Sequence, residues 1–529
     1  MKNTTVNYEG DLAFTLPADL ELYTKVCTTA LQGEFYTPGT NDTLNSIKTL
    51  VRKNDPEFVA CLAVYAREQM YLRAVPLALV VELAKYHKDD DLIRRTARRV
   101  IGRADELAKI LVYYAKANQR KDYKKFNKLS NQLRAGIADA FYKFDEYQFA
   151  KYNRTYQIYD NGGSLNNNVK LRDVLFLTHP KPLNEDQRVL FNKIASDQLA
   201  AADTWEKRMT EGGTSKKETW SNLIDEKRMG YMACLRNLRN FIKEDLSTKH
   251  IEKVAKYLSN PVAVRKSKQL PFRFLSAYRA LGFNKNYRRG WGDDRLFNIP
   301  STNEKTDILA QALEDAVKIS IENIPMFAQE KVLIAADVSS SMQVPATGSR
   351  DGHAWRARTT NQDVVERYDI GILLSLLMAE RCEFSTVGMF GNTWKPIQLP
   401  SRDVLANTNR MHGREGEVGY STNGYKVLEW AISQIDTVSY DRVMMFTDGQ
   451  MWDTEGRQGR IEKLWRQYKE LAPRAKLYLF NLAPYGTVPV NISPGDVYLI
   501  SGWSEKVFEV LRNIEAGHDA LDEIRELDL

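Results

Sequence analysis

An apolar stretch from Val332 to Ala336, bounded by charged residues, constrains this chain more than any other sequence feature. It is typical of a strand that is buried on both faces of a parallel sheet. The residues that follow it are Asp337, Ser339 and Ser341, a D-x-S-x-S arrangement of one carboxylate and two hydroxyls. Hard oxygen ligands of this kind suit Mg²⁺ or Mn²⁺. Alone, the pattern also fits an ordinary serine-rich turn.

Two downstream segments supply side chains of the same chemistry. The segment 419–424 precedes an amphipathic helix and places Thr422 in a loop. A second apolar strand begins at Arg442 and is followed by Asp448 and Gly449. Because the strands and helices alternate, we expect Asp337, Thr422 and Asp448 to meet in one crevice.

This arrangement resembles the von Willebrand factor A domain, whose metal-ion-dependent adhesion site uses D-x-S-x-S, a loop threonine and a late aspartate. The resemblance implies a doubly wound α/β fold and a divalent metal cofactor, Mg²⁺. The implied metal ligands are Asp337, Ser339, Ser341, Thr422 and Asp448. The polar segment 343–360 interrupts the usual passage from the metal loop to the next helix, and it fits either a partner-specific insert or a loop.

Length and composition indicate an intracellular protein of several domains. A chain of 529 residues exceeds what one core usually supports. The sequence has no apolar run of about eighteen residues and no signal-peptide pattern. Its four cysteines are scattered without the spacing of metal ligands. We therefore expect a cytoplasmic protein rather than an extracellular adhesion molecule.

The positive charge lies in the first part of the chain. Residues 1–327 hold 53 Lys and Arg against 40 Asp and Glu, whereas residues 328–529 hold 22 against 28. A basic domain favours a nucleic-acid partner, although a lysine-rich solvated surface is the alternative. We predict a helical domain over 1–327 and the A domain over 328–529.

Helical periodicity dominates the first domain after an irregular arm over residues 1–50, in which we expect one helix near Leu20 to Leu31. Asp55 and Pro56 predict the start of one helix, a second begins at Pro76, and a third runs from Asp91 to about Ala117. Paired helices with short turns indicate stacked HEAT-like repeats, although no fixed-period repeat is visible. Five arginines form a stripe on the third helix, and such a stripe fits either contact with phosphates or a solvated face. They are Arg94, Arg95, Arg98, Arg99 and Arg103.

Several segments resemble successive parts of the Ro ribonucleoprotein family and its TROVE module, of bacterial or phage type. They are residues 131–141, 150–154, 171–182, 232–239 and 270–278. Ro proteins also carry a von Willebrand A domain after this module, so the order of modules agrees across nearly the whole chain. The resemblance implies an α-helical, HEAT-like repeat ring followed by the α/β domain.

The same resemblance implies two RNA ligands and a set of contacts. Ro proteins bind structured Y RNA on a basic outer surface, and they bind single-stranded 3′ ends of defective noncoding RNAs in the ring opening. They act in RNA quality control together with exoribonucleases. By motif position, Lys151, Arg154 and His179 fall where that family contacts RNA. The segment 156–170 is longer and more polar than the tight turn of the family, so Lys170, Arg172 and Lys181 could take over contacts. Alternatively, His179 only caps its helix.

Three functions follow as hypotheses. The first is a non-enzymatic, monomeric RNA-binding protein without membrane association. The second is a protein-interaction scaffold in which the metal of the A domain grips a partner's carboxylate. The third, an enzyme, has the least support, because segment 419–423 lacks the last glycine of a nucleophile elbow and no acid–base cluster is visible.

Overall fold

The computed structural model describes residues 3–7, 9–29, 41–88, 90–118, 129–153, 155–160, 163–211, 214–283, 303–322, 326–345, 365–400 and 403–529. For residues 41–43, 116, 156–160 and 163–168 only the backbone is described. Arg154 and most of the predicted insert lie outside the described residues. None of the helices described is long and apolar enough to cross a membrane.

The helices alternate with short connections along most of the described chain. They are α1 (Ala18–Cys27), α2 (Asn41–Lys53), α3 (Pro56–Glu68), α4 (Ala74–Leu83), α5 (Leu92–Val100), α6 (Ala104–Ala117), α7 (Asn131–Ala140), α8 (Glu146–Tyr152), α9 (Leu171–Thr178), α10 (Glu185–Ala195), α11 (Trp205–Thr210), α12 (Lys216–Asp225), α13 (Tyr231–Lys243), α14 (Thr248–Leu258), α15 (Pro261–Ser267), α16 (Pro271–Ala280), α17 (Glu304–Ile319), α18 (Arg367–Ala379), α19 (Val404–His412), α20 (Tyr425–Ser433), α21 (Arg460–Leu471), α22 (Val507–Glu515) and α23 (Asp522–Arg525).

The strands are concentrated in the second half of the sequence. They are β1 (Thr4–Val6), β2 (Leu12–Thr15), β3 (Tyr156–Asp160), β4 (Gly163–Val169), β5 (Phe327–Asp337), β6 (Cys382–Phe390), β7 (Trp394–Pro396), β8 (Arg442–Thr447), β9 (Lys476–Asn481), β10 (Thr487–Val488) and β11 (Val497–Ser501).

The backbone packs into two compact units. The helical unit consists of Pro17–Thr204 and Leu521–Leu529, and the sheet unit consists of Met1–Leu16 and Trp205–Ala520. Each unit therefore combines one terminal segment of the chain with a larger segment that is not adjacent to it in sequence. The boundary that the sequence suggests between residues 327 and 328 stays a prediction, as does closure of the helices into a ring.

In the helical unit, one predicted helix start is confirmed and one predicted helix is wrong. Asp55 caps α3 by accepting a hydrogen bond from the Phe58 amide at 2.9 Å, and Pro56 is the first helical residue. The single helix predicted from Asp91 to Ala117 is two helices, α5 and α6. The Gly102 amide, which lies between them, donates to Glu106 Oε2 at 2.9 Å. A Cβ at Gly102 would lie 2.5 Å from the Arg67 guanidinium, so a side chain at this position would require Arg67 to move.

The arginine stripe is largely taken up in ion pairs. Four of its five members pair with carboxylates of the same unit, namely Arg94 with Asp139, Arg95 with Asp91, Arg99 with Glu68 and Arg103 with Asp105. The stripe therefore carries less unpaired positive charge than the sequence suggested, which favours the solvated-face interpretation.

The last residues of the chain pack into the helical unit. Ile524 of α23 is fully buried there. The Cys61 thiol lies 3.4 Å from the Leu527 carbonyl oxygen, and Arg525 pairs with Asp19 at 2.8 Å. The terminal segment thus completes a core whose other members lie hundreds of residues earlier.

The sheet unit contains the predicted doubly wound α/β fold. Six strands lie in the order β11-β9-β8-β5-β6-β7, and all neighbours are parallel except β6 and β7. Residues Val332–Ala336 of the central strand β5 are completely buried, as predicted. Helix α18 packs against β5, β6 and β8. The helical first part followed by this sheet confirms the predicted fold class.

The predicted irregular arm at the start of the chain is wrong for its first residues. Strands β1 and β2 pair in antiparallel fashion, and β2 continues onto β10, where Phe14 lies opposite Val488. The partner strand is more than 470 residues away in sequence, so local patterns carry no signal for this pairing.

A buried ion pair joins the helices of the sheet unit to its α/β fold. Arg279 of α16 donates to both carboxylate oxygens of Asp369 of α18, at 2.8 and 2.7 Å, and both side chains are fully buried. His412 Nδ1 lies 2.6 Å from Asp369 Oδ1, and the Tyr368 hydroxyl lies 2.7 Å from His412 Nε2. Every polar group of this network has a partner, as buried charges require.

A second buried carboxylate fixes the start of α19. Glu314 of α17 accepts from the amides of Leu405 and Ala406, at 3.1 and 2.9 Å. These amides belong to the first turn of α19, where the unpaired N–H groups and the helix dipole favour a negative charge. Burial nevertheless raises the pKa of Glu314.

Breaking the buried pair from one side should be far more costly than replacing both partners. We expect Arg279→Met to lower the free energy of unfolding by about 3–5 kcal/mol, because Asp369 would stay buried without its counter-ion. Arg279→Met combined with Asp369→Asn should recover most of that loss, since no charge is left unpaired. Calorimetric unfolding measures both variants. Equal destabilisation by the single and double variants would contradict this account. Arg265→Met, which breaks an exposed pair with Glu322, is the matched control and should cost no more than about 1 kcal/mol.

Candidate metal centre and nucleic-acid interface

The loop after β5 presents the D-x-S-x-S residues at the carboxyl edge of the sheet. Asp337 and Ser339 are both fully buried. Asp337 Oδ1 accepts from the Ser339 amide at 2.9 Å, and its Oδ2 accepts from the Thr447 hydroxyl at 2.7 Å. The hydroxyls of Ser339 and Ser341 lie 3.2 Å apart. These contacts orient one carboxylate and two hydroxyls in a single turn.

Asp448 follows the neighbouring strand β8 and is also fully buried. Its Oδ1 accepts from the Gln450 amide at 3.0 Å. Among the described residues, its Oδ2 has no hydrogen-bond partner although it is shielded from water. A buried carboxylate oxygen without a partner is costly, and a bound cation would satisfy it.

Thr422 lies in a loop that the backbone ties to both of these strand ends. The Ser340 amide donates to the Tyr420 carbonyl at 3.0 Å, and the Trp452 amide donates to the Thr422 carbonyl at 3.2 Å. Thr422 itself is buried. The structure thus brings the three loops that carry the five predicted ligands to one place.

The two aspartates oppose each other electrostatically. Burial, and then the charge of Asp448, raises the pKa of Asp337 to about 7. Burial also raises the pKa of Asp448, against the opposing effects of the Gln450 amide, the Ser341 hydroxyl and the Arg367 guanidinium. Two carboxyls in one dry site favour either a shared proton or a divalent cation. Carboxylates and hydroxyls are the donors that Mg²⁺ prefers, so the residues present fit that ion.

A second cluster of possible metal ligands is occupied by the protein itself. Glu366, Asp369 and His412 offer one ligand atom each within 4.8 Å of one another. Arg279 and His412 bind the Asp369 carboxylate, which also accepts from the Glu366 amide at 2.8 Å. These groups already satisfy one another, so the cluster belongs to the buried network and not to a metal site.

Sequence reasoning missed three residues that support the candidate metal loops. Thr447 precedes Asp448 directly and orients Asp337, and its place at a strand end was a usable signal. Asn7, which follows β1, donates to the Met451 carbonyl at 2.6 Å, and the Gly459 amide donates to Asp11 at 3.0 Å. The N-terminal strands therefore hold the loop after Asp448, and no local pattern predicts this contact.

The predicted RNA-contacting residues are grouped around α9. Lys170 precedes the helix, and its amide donates to Asp173 Oδ2 at 2.8 Å. His179 ends the helix in a left-handed conformation with φ of 50° and is exposed. The alternative that His179 caps its helix therefore describes its backbone correctly. Lys170 and Arg172 share Asp197, at 3.3 and 3.8 Å.

Two further predicted residues flank this helix. Lys151 of α8 lies 5.8 and 5.7 Å from the ring centres of Tyr147 and Tyr152. Lys181 is exposed, and its carbonyl accepts from the Tyr142 hydroxyl at 2.8 Å. We define the α8–α9 basic surface as Lys151, Lys170, Arg172, His179 and Lys181.

The polar segment before α9 is not the long loop that the sequence suggested. It forms a hairpin in which β3 pairs with β4, with an irregularity between Gln157 and Tyr159. The hairpin returns the chain to α9 so that Val169 and Leu171 are buried in the core of the helical unit.

Comparison with known proteins agrees with this architecture. The family model of the TROVE domain matches residues 27–158 and 196–289. Among solved structures, the Ro (RSR) protein of Deinococcus radiodurans is similar, with a TM-score of 0.55 and 16% identity over 97% of this chain and 100% of that chain. At this identity the match describes the fold alone.

Two curated relatives are similar over part of their length. The mouse protein named "Telomerase protein component 1" is 24% identical over 294 residues, which are 43% of this chain and 11% of that protein. The rat protein of the same name is 24% identical over 309 residues, 46% of this chain and 12% of that protein. The chain therefore spans about one ninth of the length of these relatives. As its sequence motifs predicted, the chain contains segments that match the TROVE domain, and its fold is similar to that of a Ro protein.

Proposed function

We propose that this chain is a non-enzymatic ribonucleoprotein component that binds small, structured, Y-like noncoding RNA on its α8–α9 basic surface. The TROVE match over the helical region carries the proposal. Single-stranded 3′ ends of misfolded noncoding RNA are the proposed second ligand, and the proposed role is RNA quality control in the cytoplasm, as a monomer that cooperates with an exoribonuclease. No membrane is involved in this proposal.

The chemistry of the basic surface supports phosphate recognition. Lysine and arginine neutralise phosphates, and imidazole can contact a phosphate or a ribose 2′-hydroxyl. The pairs of Lys170 and Arg172 with Asp197 are exposed, so they contribute little to stability and can be exchanged for contacts to RNA. Lys181 and His179 are exposed at the end of α9.

We also propose that Asp337, Ser339, Ser341, Thr422 and Asp448 hold Mg²⁺. The bound ion would neutralise the two buried carboxyls and offer an open coordination position to an oxygen ligand of a partner. This supports the alternative function, a metal-dependent protein-interaction scaffold in which RNA binding is secondary. The two functions use different units and are compatible.

Removing basic side chains should weaken RNA binding in a salt-dependent way. We expect Lys151→Gln combined with Lys181→Gln to reduce the slope of log affinity against log salt by about 1.5–2, because two phosphate contacts no longer release counterions. Fluorescence anisotropy between 50 and 200 mM salt, with RNA identified by sequencing what copurifies with the protein, measures this slope. Lys463→Gln, an exposed lysine of α21, is the charge-matched control and should bind as the wild type does. Salt-insensitive binding, or none, would defeat the RNA function.

Mg²⁺ should stabilise the protein most at high pH. Because the pKa of Asp337 is raised to about 7, the metal-free protein should lose stability as pH rises from about 4 to 7, since this carboxyl ionises earlier in the unfolded chain. Mg²⁺ needs the ionised pair, so the increase in thermal midpoint on adding Mg²⁺ should be larger at pH 8 than at pH 6. Calorimetry with and without Mg²⁺ at both values tests this.

Removing one of the two aspartate charges should stabilise the metal-free protein and abolish its response to Mg²⁺. Asp448→Asn removes one of two repelling charges, so we expect a higher metal-free midpoint at pH 8 and no response to Mg²⁺. Asp436→Asn, at an exposed site, should respond to Mg²⁺ as the wild type does. A Mg²⁺ response that survives Asp448→Asn would remove the metal site. RNA binding that disappears with EDTA would favour the scaffold function over direct RNA recognition.

A further inference from the structure

Helix α9, which carries Arg172 of the α8–α9 basic surface, also exposes an aromatic ring. Phe176 of α9 is 54% exposed. The helix buries Leu171, Val174, Leu175 and Thr178, which occupy the i, i+3, i+4 and i+7 positions of one face. This inward face is complete without Phe176, so the packing of α9 does not account for a phenylalanine at this position.

The exposed ring has an arginine and a histidine as neighbours along the helix. Arg172 lies four residues before Phe176, so the two side chains are adjacent on the helix surface, about one turn apart. His179 follows three residues after Phe176 and is exposed at the end of the helix. Arg172, Phe176 and His179 therefore form a line of cation, ring and imidazole along the outward face of α9.

The surroundings favour a negatively charged ligand at this line. Lys170 and Arg172 share the one carboxylate of Asp197, and Lys181 is exposed beyond His179. The Asp173 carboxylate is engaged by the Lys170 amide at the start of the helix. An apolar protein partner would instead fit the exposed Leu183 and Val189, which flank the acidic first turn of α10.

We propose that Phe176 stacks on an unpaired base of the RNA that the α8–α9 basic surface binds, while Arg172 and His179 contact the adjoining phosphates and ribose. This inference rests on the proposed RNA function and specifies its ligand as a structured RNA with at least one base out of the helix. A base pair inside a duplex keeps its faces stacked on its neighbours, whereas a base that is bulged from a stem between two paired segments offers a free face to an aromatic ring. Arg172 and the His179 imidazole, on the two sides of the ring, match the phosphates on both sides of such a base.

Two hairpin RNAs of identical stem and loop test the proposal, one with a single bulged adenine in the stem and one fully paired. The wild-type full-length chain should bind the bulged hairpin more tightly. We expect Phe176→Leu, which keeps an apolar side chain but removes the ring, to weaken binding of the bulged hairpin about tenfold and to leave the paired hairpin unchanged. Phe176→Trp should restore the preference. Val189→Ala, at an exposed apolar site on α10, is the control and should have no effect.

A spectroscopic measurement reports the stacking itself. With 2-aminopurine in place of the bulged adenine, binding of the wild type should change the fluorescence of the 2-aminopurine. Phe176→Leu protein at saturating concentration should leave this fluorescence unchanged. Equal affinities of Phe176→Leu and wild type for the bulged hairpin would overturn the stacking role, as would equal loss on both hairpins. If the wild type binds neither hairpin at low salt, it is the RNA function that fails. Thermal midpoints of the variants, expected to equal that of the wild type, confirm that they are folded.

Discussion

The contact between Arg279 and Asp369 is the constraint on which the sheet unit depends. Both groups are removed from water, so each is tolerable only because the other is present. The pair fixes α18 against α16, and α18 is the helix that covers the central strands. Arg367, in the first turn of α18, acts electrostatically on Asp448. Anchoring this helix therefore also sets the environment of the candidate metal centre.

The candidate metal centre places two carboxylates close together at the ends of neighbouring strands, and burial makes their negative charges unfavourable. Asp337 and Asp448 leave adjacent parallel strands at one edge of the sheet, where side chains from different loops converge. Their raised pKa values reflect a local conflict that a divalent ion or a proton relieves. The N-terminal strands add a contact through Asn7 to the loop after Asp448. Support from so distant a segment couples the geometry of the site to the folding of the whole unit.

The α8–α9 basic surface differs from the candidate metal centre, because several of its residues are exposed and its ion pairs with Asp197 are long. Helix α9 organises it: Lys170 lies before the first turn, Arg172 and Phe176 lie on the outward face, and His179 ends the last turn. The inward face packs on α6, α7 and α10, whereas the outer side chains Arg172 and Phe176 are exposed. The arginines of α5 differ in geometry, since Arg94 and Arg99 each bind one carboxylate through two hydrogen bonds, whereas Lys170 and Arg172 share one carboxylate at 3.3 and 3.8 Å.

The sequence by itself determined the buried strand β5, the position of Asp337 and Asp448 at strand ends, the cap at Asp55 and the segments that match the TROVE domain, because these depend on residues that are near one another in the chain. Only the tertiary structure decided the break at Gly102, the pairing of β2 with β10, the packing of Leu527 on Cys61 and the exposure of Phe176. Each of these depends on groups distant in sequence or on which face of a helix finds a partner. Periodicity describes a face, but the burial of that face is decided by what packs against it.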